Sequence, residues 1–426
     1  MKVCVMTLGC KVNKYESDAL IENLTLKGYK TTDKLEFADI YVINTCAVTG
    51  EAEKKSRQMI ARCKKFNKDA KVLICGCAAQ KNPEQFKERN VNYIGGTAGK
   101  IKIVDYIDSI TRGKKTWENG KVKIENLPKE YEDDLFAKQT RTRAFIKIQD
   151  GCDNFCSYCI IPYLRGRSRS RGIISILNEI GSLKDNIKEI VLTGINVTDY
   201  KIDGKKGLLT LLQEIDKFGK RIRLSSIEDT LLDESFVKGL SQLENFCPHF
   251  HLSLQSGSDS VLKRMNRHYS TKQFKNSVEL IRKYFPLAGI TTDVIVGFAD
   301  ESENEFMDSY DFIKDIDFSM LHIFQYSVRE GTTASKLYKD LSPQIKQERY
   351  EKLEKLNKVL KKKFIKKNKK GSVLVEEKEG DFYIGYSKNY IKCYIKSKED
   401  LINQVVNVKI IKEFQEGALA KKIKDK

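Results

Sequence analysis

Residues 150–162 read DGCDNFCSYCIIP and follow an apolar run, AFIKIQ at 144–149, with the texture of a β-strand. The loop brings Cys152, Cys156 and Cys159 together in a Cx3Cx2C spacing. Three thiolates this close can each bind one iron of a cubane 4Fe-4S cluster and leave the fourth iron open to a non-protein ligand. A structural zinc site needs four closed ligands, and no fourth cysteine or histidine stands nearby. Apolar filler is a poor account of three cysteines in so polar a loop.

Outward from this loop, strand-like and helical textures alternate. EIVLTG (189–194), RIRLSS (221–226), HFHLSLQ (249–255), ITTDVIVGF (290–298) and SMLHIFQY (319–326) read as further strands. Residues 207–218, 271–284 and 301–314 carry helical periods between them. Six β/α units in a row predict a parallel partial (β/α)6 barrel, whose chemistry belongs at the C-terminal strand ends. Residues 343–370 predict one long basic helix. Beyond Gly371, SVLVEE, DFYIGYS, YIKCYIK and QVVNVKIIKEF alternate without helices and predict a small all-β barrel. Upstream, KVCVM (2–6), DIYVINTC (39–46) and KVLICGC (71–77) read as buried parallel strands separated by helices. The fold class is therefore α/β. An open parallel domain over 1–112 is followed by an aperiodic linker over 113–140, the barrel and basic helix over 141–370, and the small barrel over 371–426.

The 426 residues include eleven cysteines and carry a net charge of +19. No apolar run is long enough to span a membrane and no basic-then-apolar leader opens the chain, so a cytoplasmic protein with no membrane partner is expected. An odd cysteine count in a reducing compartment favours metal or redox use over disulfides. About half of the charge excess falls in residues 341–370, which points to a polyanion such as RNA; a lysine-rich solvated surface is the plainer alternative.

Cys10, Cys46 and Cys77 each end a predicted parallel strand, on the sheet edge where open α/β folds collect ligands. They can hold a second three-thiolate cluster; three unrelated apolar cysteines remain the alternative from spacing alone. Cys75 shares a strand face with Cys77, but Cys77 sits in the loop-like GCAAQ and is the better ligand. Cys4, Cys63, Cys247 and Cys393 read as structural.

The Cx3Cx2C loop, with Tyr158 before its last cysteine and a (β/α)6 barrel behind it, resembles the radical S-adenosylmethionine (SAM) superfamily. That resemblance implies SAM chelated to the open iron and cleaved to a 5′-deoxyadenosyl radical. It also implies cofactor contacts at the strand ends: Thr193 and Gly194 in LTGIN, Ser226 and Glu228 in LSSIE, Gln255 and Ser256 in HLSLQSGSD, and Val296 and Gly297 in VIVGF. TLGCKVNKYES, VINTCAVT, CGCAAQ, GCDNFCSYCIIPYLRGRSRSR and HLSLQSGSDSVLKRMNRHYS together are similar to the methylthiotransferases, over essentially the whole chain. This implies two 4Fe-4S clusters, one on Cys10, Cys46 and Cys77, and a C-terminal TRAM barrel. One SAM would methylate sulfur held on that cluster, and a second would supply the radical that activates C2 of an adenine. GCKVNKYES is most similar to the branch acting on threonylcarbamoyladenosine at position 37 of tRNA. Isopentenyladenosine in tRNA and an aspartate of a ribosomal protein are the alternative family substrates. A non-catalytic iron–sulfur RNA-binding protein is the alternative from another class. The family implies a reduced flavodoxin or ferredoxin type electron donor and a sulfur source, and a monomer is expected. Two departures stand out: GFADE (297–301), where the family reads Gly-Phe-Pro-Gly-Glu, and Asp229, where proline is common. The first is expected to reshape the adenine-contacting loop.

RGRSRSR places Arg165, Arg167, Arg169 and Arg171 just past the cysteine loop. Alternating on an extended strand, they would present one face to RNA phosphates or SAM; a surface charge run is the plainer alternative. Phe382, Tyr383 and Tyr386, with Tyr390 and Tyr394, stand among lysines in the small barrel and suggest RNA stacking, although some must form its core. No histidine takes a role, and no acid/base pair is needed.

Overall fold

A computed structural model describes every residue except 134–135, 138–141, 229–231 and 424–426. Strands Lys2–Thr7, Ile40–Thr45 and Lys71–Gly76 lie side by side at the centre of a six-stranded parallel sheet. Side chains alternate across this sheet. Ile40 and Val42 pack with Leu20, Leu24 and Ile107 of helices Lys11–Leu26 and Ile101–Thr111. Tyr41 and Ile43 pack with Met59 and Ile60 of helix Gly50–Phe66 on the other face. Burial on both faces explains the near-continuous apolar runs. The sheet also extends beyond the expected boundary. Lys121–Lys123 pairs in parallel with Tyr93–Gly95 as the sixth strand, inside the stretch expected to be linker. Three residues, KVK, are too short to carry a periodic signal.

The barrel strands follow in chain order. Arg143–Lys147, Glu189–Thr193 and Arg221–Leu224 form one parallel sheet. Ser226–Ile227, His249–Gln255, Gly289–Val296 and Met320–Gln325 form the next. The chain steps from one sheet to the other at Ser225, whose N–H still bonds Leu192 O at 3.0 Å. Ala144, Ile146, Ile190, Leu192, Ile222, Leu224, Phe250 and Leu252 face outward into the helical core. The intervening residues face a polar interior. There Arg223 meets Glu189 at 2.8 Å, and His249 and His251 both meet the Thr291 hydroxyl, at 3.0 and 2.9 Å.

Helix Pro343–Lys367 starts on Pro343, with the Ser342 hydroxyl accepting from Ile345 N, and buries Leu353, Leu356 and Leu360 against the barrel. It leads into a closed barrel of Lys370–Glu379, Phe382–Ser387, Lys392–Lys396, Gly417–Lys422 and Val405–Phe414, in that spatial order. This small barrel plugs the floor of the larger one: Arg223 donates to Lys388 O at 3.0 Å and to Ser387 O at 3.2 Å. Among the described residues, no helix is long and apolar enough to cross a membrane.

Candidate functional site

The Cx3Cx2C loop is pinned at both ends. Gln149–Asp150 pairs antiparallel with Arg169–Ser170, and Cys152 N donates to Gly166 O at 3.1 Å. Gly151 makes the entry possible: its φ is +71°, and a Cβ there would lie 2.0 Å from Arg167 O. Inside the loop, Cys159 N donates to Cys156 O at 2.9 Å, and Ser157 N to Met265 O at 2.9 Å. Burial, with the neighbouring cysteines acting in the same direction, pushes the Cys152 and Cys159 thiols up to about 12. Such thiols become thiolates only beside a strong positive charge, which iron supplies.

The second trio is assembled from distant segments. Cys10 is the residue before helix Lys11–Leu26, Cys46 follows strand Ile40–Thr45, and Cys77 opens helix Cys77–Lys81. Two glycines allow the approach. At Gly9 (φ +99°) a Cβ would stand 2.6 Å from Cys46 Sγ, and at Gly76 (φ +97°) 2.5 Å from Thr45 O. Burial, together with the charges of Cys77 and Cys10, raises Cys46 to about 11. Cys77 is raised by burial, against which Arg165 acts. Cys75 packs in one core of this domain, with Tyr93 and Leu73, whereas Cys77 packs in the other, with Ile43 and Ile74. Among the described residues no three ligands converge tightly enough to hold one metal ion. Neither trio therefore forms a single-metal site; each presents three thiolates, the donor set that three irons of a cubane take. The two trios adjoin: Cys77 packs in one core cluster with Ile160, the residue after Cys159, and with Leu164.

Between them runs a buried ion network. The Arg165 guanidinium donates to Glu16 Oε1 at 2.9 Å, to both Asp150 oxygens at 3.1 Å and to Asn13 Oδ1 at 2.8 Å. Lys147 bonds Glu16 at 2.9 Å and Asp150 at 2.6 Å, and Lys100 pairs with Glu16. Burial works against the ionised Glu16, but Arg165, Lys100 and Lys147 outweigh it and hold its carboxyl well below the usual range. This corrects the expected arginine face. Arg165 ends the helix Ile161–Arg165 and is buried. Arg169 is buried and donates to Arg165 O and Arg167 O, both at 2.8 Å. Arg171 is buried against Glu179 and bonds Asp133 at 2.8 Å. Arg167 alone of the four is exposed, stacked over Phe155 at 4.5 Å.

The expected SAM contacts collect at the C-terminal strand ends, on the side of the Cys152 loop. Thr193 is buried and its carbonyl accepts from Ile148 N at 2.9 Å. A Cβ on Gly194 would lie 2.9 Å from Gln149 Oε1. Ser226 is in register with His251. Glu228 accepts from Asn154 Nδ2 at 2.7 Å and Asn196 Nδ2 at 3.3 Å, and pairs with Arg267 at 3.1 Å. Gln255 takes φ +67° at a register break, and the buried Ser256 accepts from Ser258 N at 3.2 Å. Val296 ends its strand, and Gly297 N donates to Glu301 Oε2 at 2.8 Å. Sequence reasoning passed over Asn154, Asn196 and Arg267, although Asn154 lies inside the cysteine loop. Arg267 also donates to Cys156 Sγ at 3.2 Å. The GFADE loop is closed by Glu301, with Asp300 in the left-handed region at φ +57°, which aspartate tolerates. Asp229 lies outside the described residues.

The aromatics expected on an RNA face divide differently. Tyr383 is in the small-barrel core. Tyr386 stacks on Tyr390 at 4.7 Å, and Tyr390 on His249 at 4.4 Å, so both face the floor of the larger barrel. Phe382 is half-buried, 5.1 Å from the Phe414 ring, with Lys396 5.0 Å from its own ring centre.

Residues 2–96 match the family described as Uncharacterized protein family UPF0004, and residues 146–313 match the Radical SAM superfamily. The chain is 39% identical to threonylcarbamoyladenosine tRNA methylthiotransferase MtaB of Bacillus subtilis, over 99% of this chain and 97% of that one. It belongs to the radical SAM methylthiotransferases. Another member, MtaB of Aquifex aeolicus, is 38% identical over 87% of this chain and 91% of its own. A relative named for a different nucleoside, tRNA-2-methylthio-N(6)-dimethylallyladenosine synthase of Alkaliphilus oremlandii, is 33% identical over 96% of this chain and 90% of its own. Among solved structures, the radical SAM methyltransferase TsrM of Kitasatospora setae shares the fold at 14% identity, with a TM-score of 0.58 over 78% of this chain and 74% of that one. The superfamily match spans the Cys152 loop and the barrel, so SAM and an iron–sulfur cluster are the cofactors of this methylthiotransferase.

Proposed function

We propose that the chain transfers a methylthio group to C2 of N6-threonylcarbamoyladenosine at position 37 of tRNA, using two 4Fe-4S clusters and two SAM molecules. The observation that carries the two-cluster reading is the side-by-side arrangement of the trios, with Cys77 packed in the same core cluster as Ile160, the residue after Cys159. The substrate follows the relatives named for threonylcarbamoyladenosine, at 36–39% identity against 33–34% for those named for dimethylallyladenosine. When bound, the Cys152/Cys156/Cys159 cluster supplies the electron that cleaves SAM, and the Cys10/Cys46/Cys77 cluster holds the sulfur to be delivered. The protein's own part is placement. Glu228, held by Asn154, Asn196 and Arg267, is a fixed carboxylate for SAM hydroxyl or ammonium groups beside Cys156. Gly194 and Gly297 leave backbone surface for the cofactor to approach. Arg165 and its partners tie the two trios into one rigid seam.

A low-potential flavodoxin or ferredoxin and an external sulfur source complete turnover, and a tRNA substrate implies work in the cytoplasm. Arg167 and Phe382, near Lys396, are the RNA contacts that remain accessible. Mass spectrometry of tRNA nucleosides from a strain lacking the gene tests the reading. Loss of 2-methylthio-threonylcarbamoyladenosine supports it. Persistence of that nucleoside in a strain without a redundant enzyme, or loss of the dimethylallyl product instead, sinks it.

A further inference from the structure

Arg329 lies in the turn just beyond the last strand of the larger barrel, Met320–Gln325. On one side this turn is tied to the Cx3Cx2C loop. Ala334 N donates to Ser157 O at 2.7 Å, and the Thr332 hydroxyl and N–H both donate to Arg329 O, at 2.7 and 3.1 Å. On the other side the Arg329 guanidinium crosses to the sheet domain. A Cβ on Gly50, the first residue of helix Gly50–Phe66, would stand 3.5 Å from Arg329 Nη2 and 3.9 Å from Nη1. That helix is the one the chain enters after Cys46.

The guanidinium is poorly provided for. Its side chain is only 6% exposed. Nη1 reaches Glu53 Oε2 at 3.4 Å, Nη2 reaches Ser327 Oγ at 3.3 Å, and Nε has no hydrogen-bond partner among the described residues. Glu53 is itself shared: its other oxygen is held by Lys81 at 2.9 Å. Two cations thus divide one carboxylate. Arg165 in the seam, by contrast, takes Glu16, Asp150 and Asn13 at 2.8–3.1 Å. The helix adds to the imbalance. Its first turn carries N–H groups without partners inside the helix, and the positive end of its dipole faces the guanidinium. A buried, half-bonded cation at the positive end of a helix is a standing penalty that an incoming anion relieves.

A nucleotide that receives the methylthio group has to lie between the sulfur held at the assembled trio and the SAM bound at the Cx3Cx2C loop. The Arg329 turn spans that interval, with Ser157 at one end and Gly50 at the other. The oxyanions such a nucleotide carries are the phosphates on either side of it and the threonyl carboxylate. Each suits a guanidinium set beside a helix N-terminus. We propose that the Arg329 guanidinium and the first turn of helix Gly50–Phe66 form the site for one oxyanion of the nucleotide being modified, and that this contact sets the nucleotide between the two trios. The inference rests on the tRNA substrate proposed above. A phosphate in this site places any adenosine at position 37; a carboxylate there selects the threonylcarbamoyl group over an apolar one.

The test uses reconstituted full-length protein and synthetic anticodon stem-loops carrying threonylcarbamoyladenosine at position 37. One stem-loop is unaltered, one has neutral methylphosphonate linkages on both sides of that position, and one has the threonyl carboxylate as its methyl ester. On the unaltered RNA, Arg329→Gln is expected to lose about 10–100-fold in kcat/KM. Wild type is expected to lose a similar factor when the bound oxyanion is neutralised, and Arg329→Gln to lose nothing further on that RNA. The stem-loop on which this happens identifies the oxyanion as phosphate or carboxylate. Arg329→Lys, which keeps the charge without the planar fork, is expected to fall between. Iron content and the cluster EPR signals report whether each variant carries its clusters; where Arg329→Gln does not, Arg329→Lys runs the same cycle. An undiminished rate in Arg329→Gln overturns the inference. So does a wild type indifferent to both neutralisations, and so does a variant whose loss multiplies with both of them, as independent defects do. Wild type that leaves threonylcarbamoyladenosine untouched but thiolates another adenosine overturns the substrate reading instead, and the methylphosphonate comparison on that adenosine then decides the site.

Discussion

The two cysteine trios reach similar chemistry by opposite routes. Cys152, Cys156 and Cys159 lie in one loop, and a hairpin-like pair of two-residue strands closes it. Cys10, Cys46 and Cys77 share no loop; three parallel strands ending on one edge bring them together. The first trio depends on local geometry, whereas the second depends on the whole sheet being in register and on what holds the sheet against the barrel. Damage at a distance should therefore reach the assembled trio first.

The largest effects come from the ligands. Cys156→Ala should abolish both 5′-deoxyadenosine formation and methylthiolation. Cys10→Ala should abolish methylthiolation and keep 5′-deoxyadenosine formation, read by chromatography of the reaction mixture. Iron analysis should find two cubanes in wild type and one in each variant. A wild type with a single cubane would dissolve the comparison.

Next comes the seam. Replacing Arg165 with Met leaves Glu16 and Asp150 short of a buried partner, and breaking a buried pair in this way costs about 3–5 kcal/mol. Arg167→Ala, at the exposed arginine two residues on, should change stability by less than about 0.5 kcal/mol. Urea midpoints measure both. Arg165→Met should also lose iron from the assembled trio before the local one; equal loss from both would show that the seam does not distinguish them.

Backbone substitutions sharpen the same contrast. Ala at Gly76 meets Thr45 O in a left-handed conformation, and Ala at Gly151 meets Arg167 O in the same way. Each should cost about 1–3 kcal/mol. Gly76→Ala should depress methylthiolation with 5′-deoxyadenosine formation preserved, and Gly151→Ala should depress both.

The contrast also explains what could be read in the sequence. The loop trio and the six barrel strands were legible because their signals are local: a spacing, or an alternation over a few residues. Cys10, Cys46 and Cys77 were legible only as strand ends, and which residues join them depended on the sheet order. The RGRSRSR stretch departs from an alternating face because Arg165 ends a short helix, Gly166 turns the chain at φ +80°, and only Arg169–Ser170 is strand. Its true partners, Glu16 and Glu179, lie in other segments, and nothing local announces them. KVK at 121–123 and GALAKK at 417–422 are strands by pairing, with too little alternation to declare it. The small-barrel aromatics suggest an RNA face by composition, which cannot separate a solvent-facing ring from Tyr390, which stacks on His249 beneath the larger barrel.

The most gradual predicted effect, spread over a pH range, contrasts two buried glutamates. Glu16, in the seam, is held below its ordinary pKa; its contribution is present above the unfolded value and is lost as pH falls through the folded one. Glu301, in the GFADE loop of the barrel, is displaced the other way. Burial raises it to about 7, against Arg349 at 2.7 Å and the Gly297 N–H at 2.8 Å. Its folded form therefore binds the proton more tightly than the unfolded chain, and the stability this brings fades as pH rises from about 4.5 through about 7. Glu301→Gln fixes the uncharged form and removes that slope. Urea denaturation of both proteins at several pH values between about 5 and 8 isolates the difference, which should move by about 1–3 kcal/mol in favour of the variant as pH rises. A wild-type-to-variant difference that stays constant across the range would mean that Arg349 keeps Glu301 ionised throughout. The barrel loop would then be held, like the seam, by a charged pair.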